Sequence, residues 1–243
     1  MILPDYNLRY SKKAKRLQLR ISRQGLEVVV PIKKRILDDA ILQFIQQNKA
    51  WITKHWTCWL KLKEQHHSES LVLPTIVPLP AINQTWEVSY LATNQSRITC
   101  IANLSHQIKL LGKIANHTGC VRALRQWLKK MAEQYLSQQL SEAAEETGLS
   151  FQKLTFRHTT SRWGSCSGRK HISLSCSLLF LPKHLVKHVL LHELCHTRHL
   201  NHGAAFWRLL ERYDSNTVIH KTQLRKAGQQ FVPAWATYQE REK

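Results

Sequence analysis

The chain has 243 residues, 43 % of them apolar and 21 % charged, and its 36 Lys+Arg against 16 Asp+Glu give a formal net charge of +20. This length supports one compact domain with a sizeable core, or two small lobes. No run approaches the roughly 20 apolar residues of a membrane helix, so no membrane span is expected. The charge suits polyanions such as nucleic acid or anionic surfaces. It is spread along the chain, however, with concentrations at residues 12–16, 33–35 and 122–130, and this is also how a solvated basic face looks.

The first residues show no charged segment followed by an apolar one, so no secretory signal is expected and a cytoplasmic location is the default. Leu17, Leu19 and Ile21 alternate with polar neighbours, as do Leu26, Val28 and Val30 after Gly25. Two strands around a turn at residues 23–25 fit this pattern, with Pro31 ending the hairpin. From Ile36 to Gln65 the period becomes helical, with Leu37, Ile41, Phe44, Ile45, Trp51, Ile52, Trp56 and Trp59 on one face. The tryptophans at this spacing are expected in the core. Asp38 and Asp39 suit the first turn of that helix.

Residues 66–85 contain Pro74, Pro78 and Pro80 and read as a connector. Residues 86–111 alternate in short runs, enough for two or three strands. A second helix is expected from Gly119 to Thr147, buried along Val121, Leu124, Leu128, Met131 and Tyr135, with Gly148 closing it. A strand pair follows, at 151–158 and 171–176, joined by the turn-rich Arg162-Trp-Gly-Ser-Cys-Ser-Gly168. Pro182 suits the first turn of a helix running to Leu200. Asn201 is expected to cap the next helix, which carries Phe206, Trp207, Leu209 and Leu210. The six cysteines (Cys58, Cys100, Cys120, Cys166, Cys176, Cys195) form no C-x-x-C pair. They are expected to be free thiols, mostly buried.

The helix after Pro182 contains His192-Glu-Leu-Cys-His196, an H-E-x-x-H motif. Residues four apart on a helix lie about 40° apart around the axis and about 6 Å along it, so both imidazoles can reach one ion. Glu193, about 100° round from His192, can hold an attacking water without being a ligand. Chance would produce the motif in about 4 % of sequences of this composition, which makes a metal site the stronger reading. Zinc prefers nitrogen ligands, and a catalytic zinc takes three protein ligands plus an open position. Three candidates exist for the third. His199 lies a further turn along the same helix. Glu211 is a possible downstream carboxylate. His202 fits best, provided that the helix breaks near Leu200 and the chain bends back. His188, one turn before His192, is either a proton carrier behind the ligands or a partly exposed histidine.

The ordered set Arg162-Trp-Gly-Ser-Cys-Ser, Ile172-Ser-Leu-Ser, Pro182, His192-Glu-Leu-Cys-His196 and Asn201-His-Gly-Ala-Ala-Phe-Trp207 resembles the YgjP-like metallopeptidases, a zincin-type group related to the SprT-like and WLM peptidases. A weaker likeness extends over the basic run at 12–16, the hairpin through Pro31, and Phe44-Ile to Trp51-Ile. The resemblance implies zinc on His192, His196 and His202, with Glu193 catalytic. It also implies an α+β fold with a zincin-like core, in which the H-E-x-x-H helix packs on a small, mostly antiparallel sheet after a hairpin-and-helix N-terminal region. Ser175 stands where the family often has Asn, and Gly203 where it often has Ser. Two regions are expected: residues 1–115, β-rich with one long helix, and residues 116–243, catalytic.

The chemistry that follows is hydrolysis. Zinc lowers the pKa of a water to about 7, and Glu193 takes the proton as that water attacks a peptide carbonyl. Arg162 and His158 are candidate contacts to the transition state or substrate. The strand at 171–176 is a candidate edge for binding an extended peptide or protein substrate. Two other functions fit the same residues. The activated water could attack a nucleotide phosphoanhydride, although no P-loop is present. Alternatively, a basic nucleic-acid-associated module could hold a structural zinc.

Overall fold

The computed structural model describes residues 4–22, 25–32, 36–57, 72–159 and 161–238. The chain is α+β and divides into two packed units, Met1–Ser70 and Leu71–Lys243. The division expected after residue 115 falls inside the second unit, between elements that share one core.

The first unit contains β1 (Tyr6–Ser11), β2 (Gln18–Ser22), β3 (Gly25–Pro31), α1 (Asp38–Gln47) and a helical stretch α2 at residues 49–57. β2 pairs antiparallel with β3, as the alternation predicts, and β1 adds to the other side in parallel, giving the order β1-β3-β2. The expected turn at 23–24 and the continuation of the helix over 58–65, with Cys58 and Trp59, lie outside the described residues. Leu26, Val28 and Val30 pack with Ile41, Ile45 and Ile52 to form this unit's core. Trp56 is packed against that core, but Trp51 is 39 % exposed and not a core residue.

The second unit opens with a four-stranded sheet of order β4-β5-β7-β6, made of β4 (Ile76–Leu79), β5 (Gln84–Ala92), β6 (Thr99–Ala102) and β7 (Gln107–Gly112). β4 lies within the stretch read as a connector. Its Pro78 is tolerated because β4 is an edge strand, where a missing N–H breaks no inner ladder. α3 (His117–Thr147) begins where the Asn116 side chain accepts a hydrogen bond from the Gly119 amide at 3.0 Å. It buries Val121, Leu124, Leu128 and Met131 as expected. It ends at Gly148, whose φ of 67° is left-handed.

The last sheet has the order β8-β10-β9, with β8 (Lys153–Arg157), β9 (Gly164–Cys166) and β10 (His171–Ser175). The link between the two expected strands thus contains a third strand, too short and glycine-rich for alternation to mark it. β10 runs parallel to β8 and antiparallel to β9, so the sheet is mixed and not mostly antiparallel. α4 (Lys183–His196), α5 (Ala204–Tyr213), α6 (Thr217–Phe231) and α7 (Ala234–Thr237) complete the chain. α4 is buried on nearly all sides, at Leu185, Val186, Val189, Leu190, Leu191, Leu194 and Cys195, as befits a central helix. Asn201 does not cap α5. Gly203 occupies that position and no side chain caps the helix. Among the described residues no helix is long and apolar enough to cross a membrane.

A Cβ at position 148 would meet nothing within 4 Å, so Gly148→Ala tests backbone conformation alone. The expected loss in chemical denaturation is about 1–2 kcal/mol, the cost of a left-handed L-residue. An unchanged midpoint would mean that the helix end rearranges freely.

Candidate metal centre

α4 ends one turn earlier than its apolar pattern suggests. The Thr197 amide and hydroxyl both bond the Leu194 carbonyl, at 2.9 and 2.7 Å, and close the last turn. The chain then bends over residues 198–203 and carries His202 back across the end of α4. The three imidazoles converge. Nε2 of His192 is 3.2 Å from Nε2 of His196, and Nε2 of His202 is 3.1 Å from each. Nitrogens about 2.0–2.1 Å from a shared ion in a tetrahedral array stand about 3.3 Å apart. The triangle therefore fits a small, nitrogen-seeking cation.

The tautomers fit as well. Nδ1 of His196 lies 3.0 Å from the His199 carbonyl, which can only accept, so the proton sits on Nδ1 and the Nε2 lone pair faces the triangle. His199 thus contributes its backbone carbonyl. Among the described residues neither the His199 imidazole nor the Glu211 carboxylate joins the cluster. Burial, with the neighbouring His196 and His202, lowers the pKa of His192 to about 3 and keeps it in the neutral form that binds metals.

α5 builds the wall behind the triangle. Phe206 is fully buried, stacked on His196 at 4.5 Å between centroids and edge-on to His192 and His202 at 4.9 and 4.8 Å. Trp207 donates from Nε1 to the His202 carbonyl at 3.0 Å, which fixes the returning turn. Sequence periodicity marked both only as core residues of a helix.

Glu193 is 4 % exposed, and its Oε2 has no hydrogen-bond partner among the described residues. Burial pushes its carboxyl up to about 8, against the pull of Arg162. The backbone of β9 presses against this side chain. A Cβ on Gly164 would fall 2.6 Å from Glu193 Oε1 and 2.7 Å from its Cγ. Glycine alone permits this approach, a role that spacing could not reveal. The loop carrying Arg162 is tied down by Ser175, whose amide bonds the Trp163 carbonyl at 2.8 Å and whose hydroxyl bonds the Thr159 carbonyl at 3.1 Å. Burial, with the charges of Arg125 and Lys129 on α3, lowers the pKa of His158 to about 4.

A second cluster lies one turn back. His188 is 3 % exposed and not partly exposed at the surface; its Nδ1 and that of His220 both bond Oδ2 of Asp214, the latter at 2.8 Å. Burial opposes ionisation of Asp214, but the hydrogen bonds from His220 and His188 outweigh it and hold the carboxyl below its usual range. This shared acceptor ties α4 to the start of α6.

The profile of the YgjP-like metallopeptidase domain matches residues 15–227. The chain belongs to the YgjP-like family. The match spans both units, and the name of the domain implies a metal ion and a hydrolase. No curated protein and no solved structure matches the chain.

If the triangle is the site of this YgjP-like protein's metal, His196→Ala and His202→Ala should each strip the ion on dialysis. His199→Ala should keep it, because only the main chain of that residue is used. Elemental analysis of the three variants checks this, and full metal content in the His202 variant would remove His202 from the site.

Proposed function

We propose that this chain is a zinc-dependent peptidase with a zincin-type centre, in which His192, His196 and His202 hold the ion and Glu193 is the general base. One observation carries the reading: three imidazole nitrogens converge within 3.2 Å, with a buried, unpartnered carboxylate on the same helix beside them. A bound zinc ion would supply a Lewis acid and lower the pKa of a water. Glu193 takes the proton that the attacking water loses and returns it to the leaving amine nitrogen. Its dry surroundings make it a stronger base than a solvated carboxylate. Arg162, the cation in its field, is placed to offset negative charge developing on the substrate carbonyl.

The substrate-binding strand is not the one expected. β10 is paired on both sides and cannot accept another strand. β8 and β9 are the edges, and of the two it is β9 whose Gly164 lies against the base. An extended peptide adding to β9 would gain main-chain hydrogen bonds and run past Glu193. A strand edge of this kind suits peptide better than a nucleotide phosphoanhydride, and so favours the peptidase reading over hydrolysis at phosphorus.

Two variants test the assignment in zinc-loaded protein, with unfolded casein and nucleoside triphosphates as parallel substrates. Glu193→Gln should keep zinc and melting temperature and lose about 10²–10⁴-fold in turnover. Gly164→Ala should also keep zinc, because no ligand moves, yet slow turnover by displacing the base. Casein cleavage within about tenfold of wild type in the Gln variant would show that the chemistry does not run through Glu193. Triphosphate hydrolysis abolished by the same substitution, with casein untouched, would replace the peptidase reading with a phosphoanhydrase one.

A further inference from the structure

The N-terminal unit carries a surface that its own core does not use. Among the described residues β1 is an edge strand, paired with β3. Its register sets Tyr6, Leu8 and Tyr10 beside Leu26, Val28 and Val30, so both rows lie on the same face of the sheet. The inner row is buried in the core, while Tyr6, Leu8 and Tyr10 remain 36, 40 and 61 % exposed. An exposed apolar row on an edge strand is an aggregation hazard unless something uses or guards it.

Charge follows immediately. Lys12, Lys13, Lys15 and Arg16 are all exposed, and among the described residues none of them pairs with a carboxylate. Residues 9 to 35 hold ten Lys or Arg and one acid, Glu27. That acid is buried, with Arg9 at 3.8 Å and Arg20 as its register partner on β2, so it neutralises nothing near residues 12–16.

Two tyrosine rings flanking a leucine outside the core, beside cations without counter-charges among the described residues, call for a ligand that has both flat apolar faces and anionic groups. We propose that β1 and the basic segment after it bind single-stranded nucleic acid, with bases stacked along Tyr6, Leu8 and Tyr10 and phosphates on Lys12, Lys13, Lys15 and Arg16. The spacing supports this. Same-face residues of a strand repeat about every 6.6 Å. An unstacked nucleic acid strand steps by about twice the 3.4 Å of a stacked one. Successive bases can thus meet successive side chains, without sequence preference, because every base has a π-face. A duplex hides those faces and offers only groove edges and backbone. An acidic peptide or an anionic bilayer would answer the charge and leave the exposed same-face row of Tyr6, Leu8 and Tyr10 unexplained. The surface lies wholly within the first unit and does not depend on the hydrolytic reading.

The test uses the full chain with Glu193→Gln, so that turnover cannot interfere. A labelled oligothymidine and a duplex of equal length are titrated over a salt series. The single strand should bind at least about tenfold tighter than the duplex. The pair Tyr6→Ala and Tyr10→Ala should weaken it by at least about tenfold, while Tyr6→Phe with Tyr10→Phe stays within about threefold. Lys12→Glu, Lys13→Glu and Lys15→Glu together should flatten the slope of log affinity against log salt by about two, at about 0.7 per phosphate contact. Melting temperatures confirm that each variant is folded, and casein cleavage by the same variants in the Glu193 background should be unchanged. Absence of binding at low salt, equal affinity for the duplex with silent tyrosine changes, or competition by polyglutamate or phosphatidylserine vesicles as strong as by the oligonucleotide would each overturn the proposal.

Discussion

Three imidazole nitrogens are held 3.1–3.2 Å apart, a spacing that one shared cation would stabilise, and most of the second unit is arranged to impose that geometry. The sequence supplies two of the rings on one helix face. The third comes only because α4 stops at Thr197 and the chain turns back within six residues. Each part of that detour is fixed by a named contact: the Thr197 hydroxyl on Leu194, the His199 carbonyl on His196, and the Trp207 indole on the His202 carbonyl. Phe206 packs against all three rings from behind.

The burial of α4 gives the centre its electrostatic character. A helix wrapped by α3, α5, α6 and β9 excludes water, and the same exclusion acts on two kinds of group in opposite senses. It lowers the pKa of His192 and His196, leaving them neutral as metal ligands must be, and raises that of Glu193, as the proposed general base requires. Arg162 moderates the second effect from the loop before β9. The imidazoles and the carboxylate therefore owe their properties to one cause, and a leak of solvent along α4 would weaken both.

Much of this was legible in the residues. The motif, its helix and the return of His202 follow from spacing and from the chemistry of zinc ligands. The second long helix was marked from Val121 to Gly148 by its period and its closing glycine. What failed did so for local physical reasons. β4 was hidden by Pro78, which an edge strand accepts. β9 was hidden by its three-residue length and by Gly164, read as a turn residue although it is a contact with the base. β10 was taken for the sheet edge because strand order is not written in a sequence.

The hydrogen bonds from His188 and His220 to one oxygen of Asp214 have a consequence for how the centre is loaded. That junction joins α4 to α6 by hydrogen bonds to one carboxylate oxygen, and it sits one turn behind His192. Much of the entropy of ordering the helices is thus spent during folding. Uptake of an ion at the proposed triangle would then be capture by a socket already in shape, governed by access past the exposed His202 more than by a coil-to-helix transition. Such an ion would exchange while the protein stays folded, unlike that of small zinc domains, which exist as ordered structures only with the metal in place.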